Sequence, residues 1–176
     1  GMVGGTGEYI VTPIDLAGNA DNMLFSNTPG KDWERLFNNY IYYSGSASNG
    51  ALGYLGVDLG EGNEIVDFTF TYTVPNMLNY HPEKITIEGC NELDGEYEEI
   101  VTLTDLPQDN KAVYNSGIIG NGNQYRYIRF CMHKKNFWLR KFGMTRYEEI
   151  IGIIASPTVM PAEDIVVEGS FTVNSY

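Results

Sequence analysis

The chain has 176 residues, 43% hydrophobic and 13% aromatic, with a formal net charge of −12, which supplies one good core and favours a single domain plus a fragment of another. Only 11 residues are Lys or Arg, too few to displace counterions along a phosphate backbone, so nucleic acid is excluded as a partner and anionic membranes are disfavoured. No window reaches the ~20 apolar residues of a membrane span, so membrane insertion is excluded as well. Cys90 and Cys131 are too few for a disulfide scaffold and lack zinc spacing. They pair only if their two strands are neighbours, and two free thiols are the simpler expectation.

Gly and Tyr, at 20 and 13 residues, accompany many Val, Ile and Thr, a composition suited to pleated strands and tight turns. Residues 1–7 read as a cloning remnant or linker, with no basic, apolar leader at the start. Glu8–Thr12 predicts a strand stopped by Pro13. Residues 34–43 fit either a helical turn or a strand, and 44–50 form a Ser/Gly/Asn loop. Leu52–Leu59 and Ile65–Val74 predict two more strands. In the second, Val66, Phe68, Phe70, Tyr72 and Val74 alternate with Ile65, Asp67, Thr69, Thr71 and Thr73, which marks one buried and one wet face. Pro75–Pro82 is a polar, aromatic loop. Lys84–Gly89, the Asp94-Gly95 turn, Tyr97–Leu103, Tyr114–Ile119, Tyr125–Met132 and Trp138–Tyr147 complete a series of short strands at intervals near ~10 residues. The pattern predicts an all-β antiparallel sandwich over 8–147.

Four segments carry a family resemblance: Gly53–Gly60 (GYLGVDLG), Lys84–Tyr97 (KITIEGCNELDGEY), Tyr125–Phe130 (YRYIRF) and Phe137–Phe142 (FWLRKF). With Asn19–Trp33 they resemble, in family order from about Ala17 to Tyr147, the discoidin or coagulation factor V/VIII type C domain and its relative, the family 32 carbohydrate-binding module. The resemblance implies a galactose-binding-like jelly roll that binds its ligand on loops at one end. It also raises calcium as a possible cofactor, with Asp15, Asp21 and Asp32 as candidate ligands. Two departures weigh against the ion: Ser26-Asn27-Thr28 stands where Asp-Gly-Asn is usual, and Lys141 where Glu is frequent. Residues 160–174 resemble the closing strand of β-repeats in bacterial cell-surface proteins. Residues 148–176 are therefore read as a linker and terminal repeat fragment, and the chain as a piece of a modular surface protein.

The loops 26–43, 76–81 and 133–138 map to the family's binding end. Trp33, Tyr42, Tyr43, Tyr80, Phe137 and Trp138 offer flat faces to the CH side of a sugar, while Asn39, Asn79, His81, His133 and Asn136 offer hydrogen bonds. Trp33 also fits a core plug, and His81 before Pro82 fits a turn cap. Tyr42 and Tyr43 point to opposite sides of an extended chain, as do Phe137 and Trp138. Of the latter pair Phe137 matches the stacking ring better, because Leu139 and Phe142 align with core positions.

No nucleophile elbow, His-Glu-x-x-His, phosphate loop or motif-placed carboxylate pair is present, so the chain is read as no enzyme. The expected function is a carbohydrate-binding, lectin-like module of a secreted or bacterial cell-surface protein, for glycans with galactose-like or amino-sugar ends. The alternative is a structural or adhesive spacer that contacts a host or cell-surface protein.

Overall fold

The computed structural model describes residues 5–28, 32–38, 41–44, 52–134 and 136–151, with backbone alone at 5–6, 41–44, 78 and 151. The repeat-like tail after Ile151 and Asn39 lie outside the described residues. Spatial clustering separates a main unit, Val11–Glu148, from a second unit formed by residues 1–10 with 149–176. The described parts of the second unit, 5–10 and 149–151, are extended.

Ten strands account for the regular structure: β1 (Gly5–Ile14), β2 (Leu24–Ser26), β3 (Ile41–Ser44), β4 (Tyr54–Asp58), β5 (Asp67–Thr73), β6 (Ile85–Cys90), β7 (Glu98–Leu103), β8 (Val113–Asn115), β9 (Tyr127–Met132) and β10 (Asn136–Ile151). Two short helices, α1 (Ala20–Met23) and α2 (Trp33–Phe37), flank β2. One sheet has the order β1-β10-β5-β8 with β3 also on β10, and the other runs β2-β4-β9-β6-β7. The described pairings are antiparallel. This is the predicted all-β antiparallel sandwich.

Several boundaries differ from the sequence reading for physical reasons. β1 begins at Gly5, inside the segment read as a linker, and passes through Pro13 to Ile14. It lies at the end of its sheet order, and an edge strand is where proline, which has no N–H to give a ladder, is tolerated within a sheet. Residues 34–43 form both candidate structures in turn, the end of α2 and then β3. Asp32 accepts a hydrogen bond from the Glu34 N–H at 3.2 Å and so caps α2. β10 continues to Ile151, past the expected end at Tyr147.

Phe68, Phe70 and Tyr72 of β5 meet Leu55, Val57, Ile85, Ile87, Ile128 and Phe130 of the other sheet, all 0–1% exposed. Val66, assigned to this face, is 38% exposed instead, and Ile65, assigned to the wet face, is 1% exposed. The chain bends at Val66 and the strand starts only at Asp67, so the alternation does not extend back to it. The opposite face of β5 is also less wet than expected: Thr69 and Thr73 are buried, because β5 lies between β10 and β8 and neighbours on both sides cover small side chains. Gly56 has a packing reason, since a Cβ there would stand 2.3 Å from the Phe25 ring that lies across it.

Cys90 and Cys131 are free thiols. Their strands are neighbours, but Cys131 pairs with Thr86 and Cys90 with Tyr127. The thiols therefore sit toward opposite ends of the β6–β9 ladder, ~14 Å apart at ~3.4 Å per residue and beyond disulfide reach. Burial, with a hydrogen bond from Cys131 Sγ to Glu88 Oε2 at 2.9 Å, pushes the Cys131 thiol far above its ordinary pKa, so it is chemically quiet.

Candidate functional site

The candidate site is built at the end of the sandwich where β5 stops and β10 starts. Arg140 of β10 pairs with Thr73 of β5, which places the 74–84 connection beside the turn between β9 and β10. β5 hands over through two backbone bonds, Val74 N–H to the Ala112 carbonyl at 2.8 Å and Lys111 N–H to the Val74 carbonyl at 3.1 Å. The chain then folds through a 3-10 turn, Leu78–Tyr80, closed by Tyr80 N–H on the Met77 carbonyl at 3.0 Å. Tyr80 stacks on Trp138, centroids 4.4 Å apart and planes 5° from parallel. Both residues are half-buried. The Trp138 Nε1 is buried, so any part of that ring reaching solvent is carbon. Asn79 is exposed beside Tyr80, and Asn136 is half-buried on the strand face it shares with Trp138.

The β10 register decides which neighbouring ring faces in. Phe137 and Leu139 are 0% exposed and belong to the core, while Trp138, on the opposite side, meets Tyr80. The preference for Phe137 as the stacking ring is thereby corrected. Leu139, read as a core position, shares the face of Phe137 and already places that ring inward; Phe142 misleads because the β10–β5 register shifts between Arg140 and Gly143, with Lys141 at φ 48°. Leu139 and Phe142, three apart, can then both point inward, and a parity argument drawn from Phe142 fails upstream of the bulge.

His81 is likewise not placed as a ligand contact. Its side chain is 0% exposed, and Nε2 lies 2.9 Å from the Pro75 carbonyl and 3.0 Å from Asn110 Oδ1. A carbonyl only accepts, so Nε2 carries the hydrogen. The ring fastens its own loop back on itself and onto the 104–112 segment. Trp33 is half-buried, packs against the core and lines a cavity of about 580 Å³ with Phe37, Asn19, Asn22 and Asn38. Neither Tyr80 nor Trp138 is among that lining. Tyr43 is in register with Phe137 on the β3–β10 ladder, as Tyr42 is with Trp138, while their side chains lie outside the described residues. His133 is exposed and hydrogen-bonds through Nε2 to Thr86 Oγ1 at 2.7 Å. Burial and the nearby Lys84 ammonium both hold its pKa below the ordinary histidine value.

Two of the calcium candidates, Asp15 and Asp32, are engaged in local hydrogen bonds. Among the described residues no three His, Cys, Asp or Glu side chains gather closely enough to hold a metal. Asp15 Oδ1 accepts from the Gly18 N–H at 2.8 Å, and Asp32 caps α2. Ser26 Oγ donates to the Tyr54 carbonyl at 2.9 Å, and Asn27 exchanges two bonds with the Leu52–Tyr54 backbone at 2.7 and 2.9 Å. Side-chain hydrogen bonds thus close the loop in which the family's ion-binding residues were sought.

Sequence reasoning missed Lys134, Gln108 and Asn110. Lys134 Nζ donates to the His81 carbonyl at 3.0 Å and pairs with Glu83 Oε2 at 3.2 Å. Gln108 Nε2 donates to the Pro82 carbonyl at 3.0 Å. No local pattern announces them, because each acts on a partner distant in sequence, a backbone carbonyl for Lys134 and Gln108 and the His81 ring for Asn110.

No family model matches this chain, and no curated protein does. Solved structures match through their fold. The family 32 carbohydrate-binding module of NanJ from Clostridium perfringens, in complex with galactose, superposes with a TM-score of 0.52 at 14% identity, over 78% of this chain and all (100%) of that one. The family 32 module of AlyQ, in complex with 4,5-unsaturated mannuronic acid, gives 0.50 at 13% identity, over 70% and 93%. A structure of two family 32 domains of ZmpB from Clostridium perfringens gives 0.52 at 12%, over 80% of this chain and 41% of that one. The discoidin-like sandwich expected from the motifs is the fold of these carbohydrate-binding modules. Among the described residues no helix is long and apolar enough to cross a membrane.

Proposed function

We propose that this chain is a non-catalytic carbohydrate-binding module of a secreted or cell-surface bacterial protein, taking glycan ends of the galactose or amino-sugar class at the loop end of the sandwich. The observation that carries the reading is the coplanar Tyr80–Trp138 stack with Asn79 and Asn136 beside it. A pyranose presents one face of C–H bonds, which packs on aromatic carbon, and hydroxyls at its rim, which need amide donors and acceptors. Stacking covers one face of each ring, so the sugar uses the outer face or edge of one of them. Asn39, Tyr43 and Trp33 remain candidate contributors from the neighbouring loop.

The test is calorimetric titration of the parent and Trp138→Ala with glycans ending in galactose and in N-acetylgalactosamine. Saturable binding by the parent that weakens by on the order of tenfold or more in the variant is expected, a loss of ~1.4 kcal/mol. If the parent binds none of these glycans, the module reading fails and the spacer reading replaces it.

A further inference from the structure

We infer that Lys134 is a positioning residue that holds the Tyr80–Trp138 stack together across two separate loops, and that sugar affinity, which rests on the reading above, depends on it.

The two rings arrive on different pieces of chain, Tyr80 on the β5–β6 connection and Trp138 on β10. A stack at 4.4 Å and 5° needs those pieces fixed to a fraction of an ångström, since aromatic attraction falls quickly as rings slide or separate. The far side of the Tyr80 loop is fastened by the His81 ring to Pro75 and Asn110, and by Gln108 to Pro82. None of these reaches β10. Lys134 does: it sits in the β9–β10 turn, and its ammonium donates to the carbonyl of His81, the residue next to Tyr80.

The ammonium is well placed for such a tie. The Lys134 side chain is 19% exposed, whereas its ion-pair partner Glu83 is 61% exposed. A charged donor on a carbonyl, covered by protein, is a strong hydrogen bond, while a pair whose acid is largely in water adds little. The bond to the His81 carbonyl, rather than the ion pair, is therefore the part that matters. Removing Glu83 should leave the stack in place; removing the ammonium should let the Tyr80 loop drift.

The chain has two tryptophans, so Trp33→Phe leaves Trp138 as the sole indole reporter in the full chain. In that background Lys134→Met should red-shift Trp138 emission and raise its acrylamide quenching constant by about twofold as the stacked face opens, while Glu83→Gln leaves both unchanged. If Trp33→Phe fails to fold, the same comparison is read as the difference in quenching between Lys134→Met and the parent, both retaining Trp33. Unaltered Trp138 signals in Lys134→Met, or an equal change in Glu83→Gln, overturn the inference. This readout needs no glycan, so a parent that binds no sugar defeats the proposed function while the tie is still judged by fluorescence. Where the parent binds, Lys134→Met should weaken affinity by about tenfold. Equal affinity despite an opened stack overturns the positioning role.

Discussion

The aromatic side chains of this protein form two kinds of assembly. Between the sheets, Phe70, Phe130 and Phe142 meet at 4.9 to 6.0 Å with planes 33–80° apart, and every ring is 0–4% exposed. At the loop end, Tyr80 and Trp138 meet nearly parallel and half-buried. Tilted and edge-on contacts fill an enclosed volume from all sides, as a close-packed core requires. The core also holds a near-parallel pair, Phe70 and Tyr72 at 6.3 Å and 18°, but both of its rings are 0–1% exposed, so it is partial exposure that makes Tyr80 and Trp138 a platform rather than a filling. Tyrosine occurs in both settings, buried at Tyr72 and half-buried at Tyr80, so residue type alone does not separate them; the direction the backbone gives each side chain does.

The largest expected effect lies in the core. Phe130→Ala and Phe137→Ala should each cost ~3–5 kcal/mol, read from denaturant midpoints, because each empties a fully buried ring-sized volume. A stable Phe137→Ala variant that has lost sugar binding would move Phe137 into the platform and erase the distinction drawn here. Next comes the outer face of β4, where Gly56→Ala should cost ~1–3 kcal/mol through overlap with the Phe25 ring. Adding Phe25→Leu should recover part of that loss, and no recovery would mean that the strain lies elsewhere.

At the platform the effects on stability shrink. Trp138→Ala and Tyr80→Ala, combined in a double-mutant cycle, should show a coupling of ~0.5–1.5 kcal/mol. Additive losses would show that the rings do not interact in solution. The smallest effect is a pH dependence at His133. Its pKa is held down in the folded chain, so folding favours the neutral ring. That stability is fully present above the unfolded value near ~6.5 and is lost as pH falls through the folded value below it. Thermal melts from neutral to mildly acidic pH should show His133→Gln losing less stability than the parent; identical slopes would remove His133 from the account.

Much of the fold was legible because its signals are local. The alternation of Phe68, Phe70 and Tyr72, the pairs Ile85 with Ile87 and Ile128 with Phe130, and the Asp94-Gly95 turn each need only a few neighbouring residues to be read. The candidate site was legible in part. The loops around Tyr80 and Trp138 were selected, but Phe137 was preferred although Leu139, read as a core position, shares its face; Phe142 pointed the other way because a bulge lies between Arg140 and Gly143. His81 looked like a polar contact because sequence shows its chemistry but not its partner, the Pro75 carbonyl.

The sequence by itself determined an acidic, all-β chain with two-residue periodicity and most of its strands along the chain, since hydrophobic alternation and turn chemistry act over a few residues. Only the tertiary structure decided that Tyr80 faces Trp138, that Ser26 and Asn27 close their loop with hydrogen bonds, that Cys90 and Cys131 stand apart, and that Lys134 reaches the His81 carbonyl. The physical reason is common to all four. Each depends on register between strands and on contacts that close long loops, and those are fixed by the packing of the whole sandwich rather than by the residues on either side.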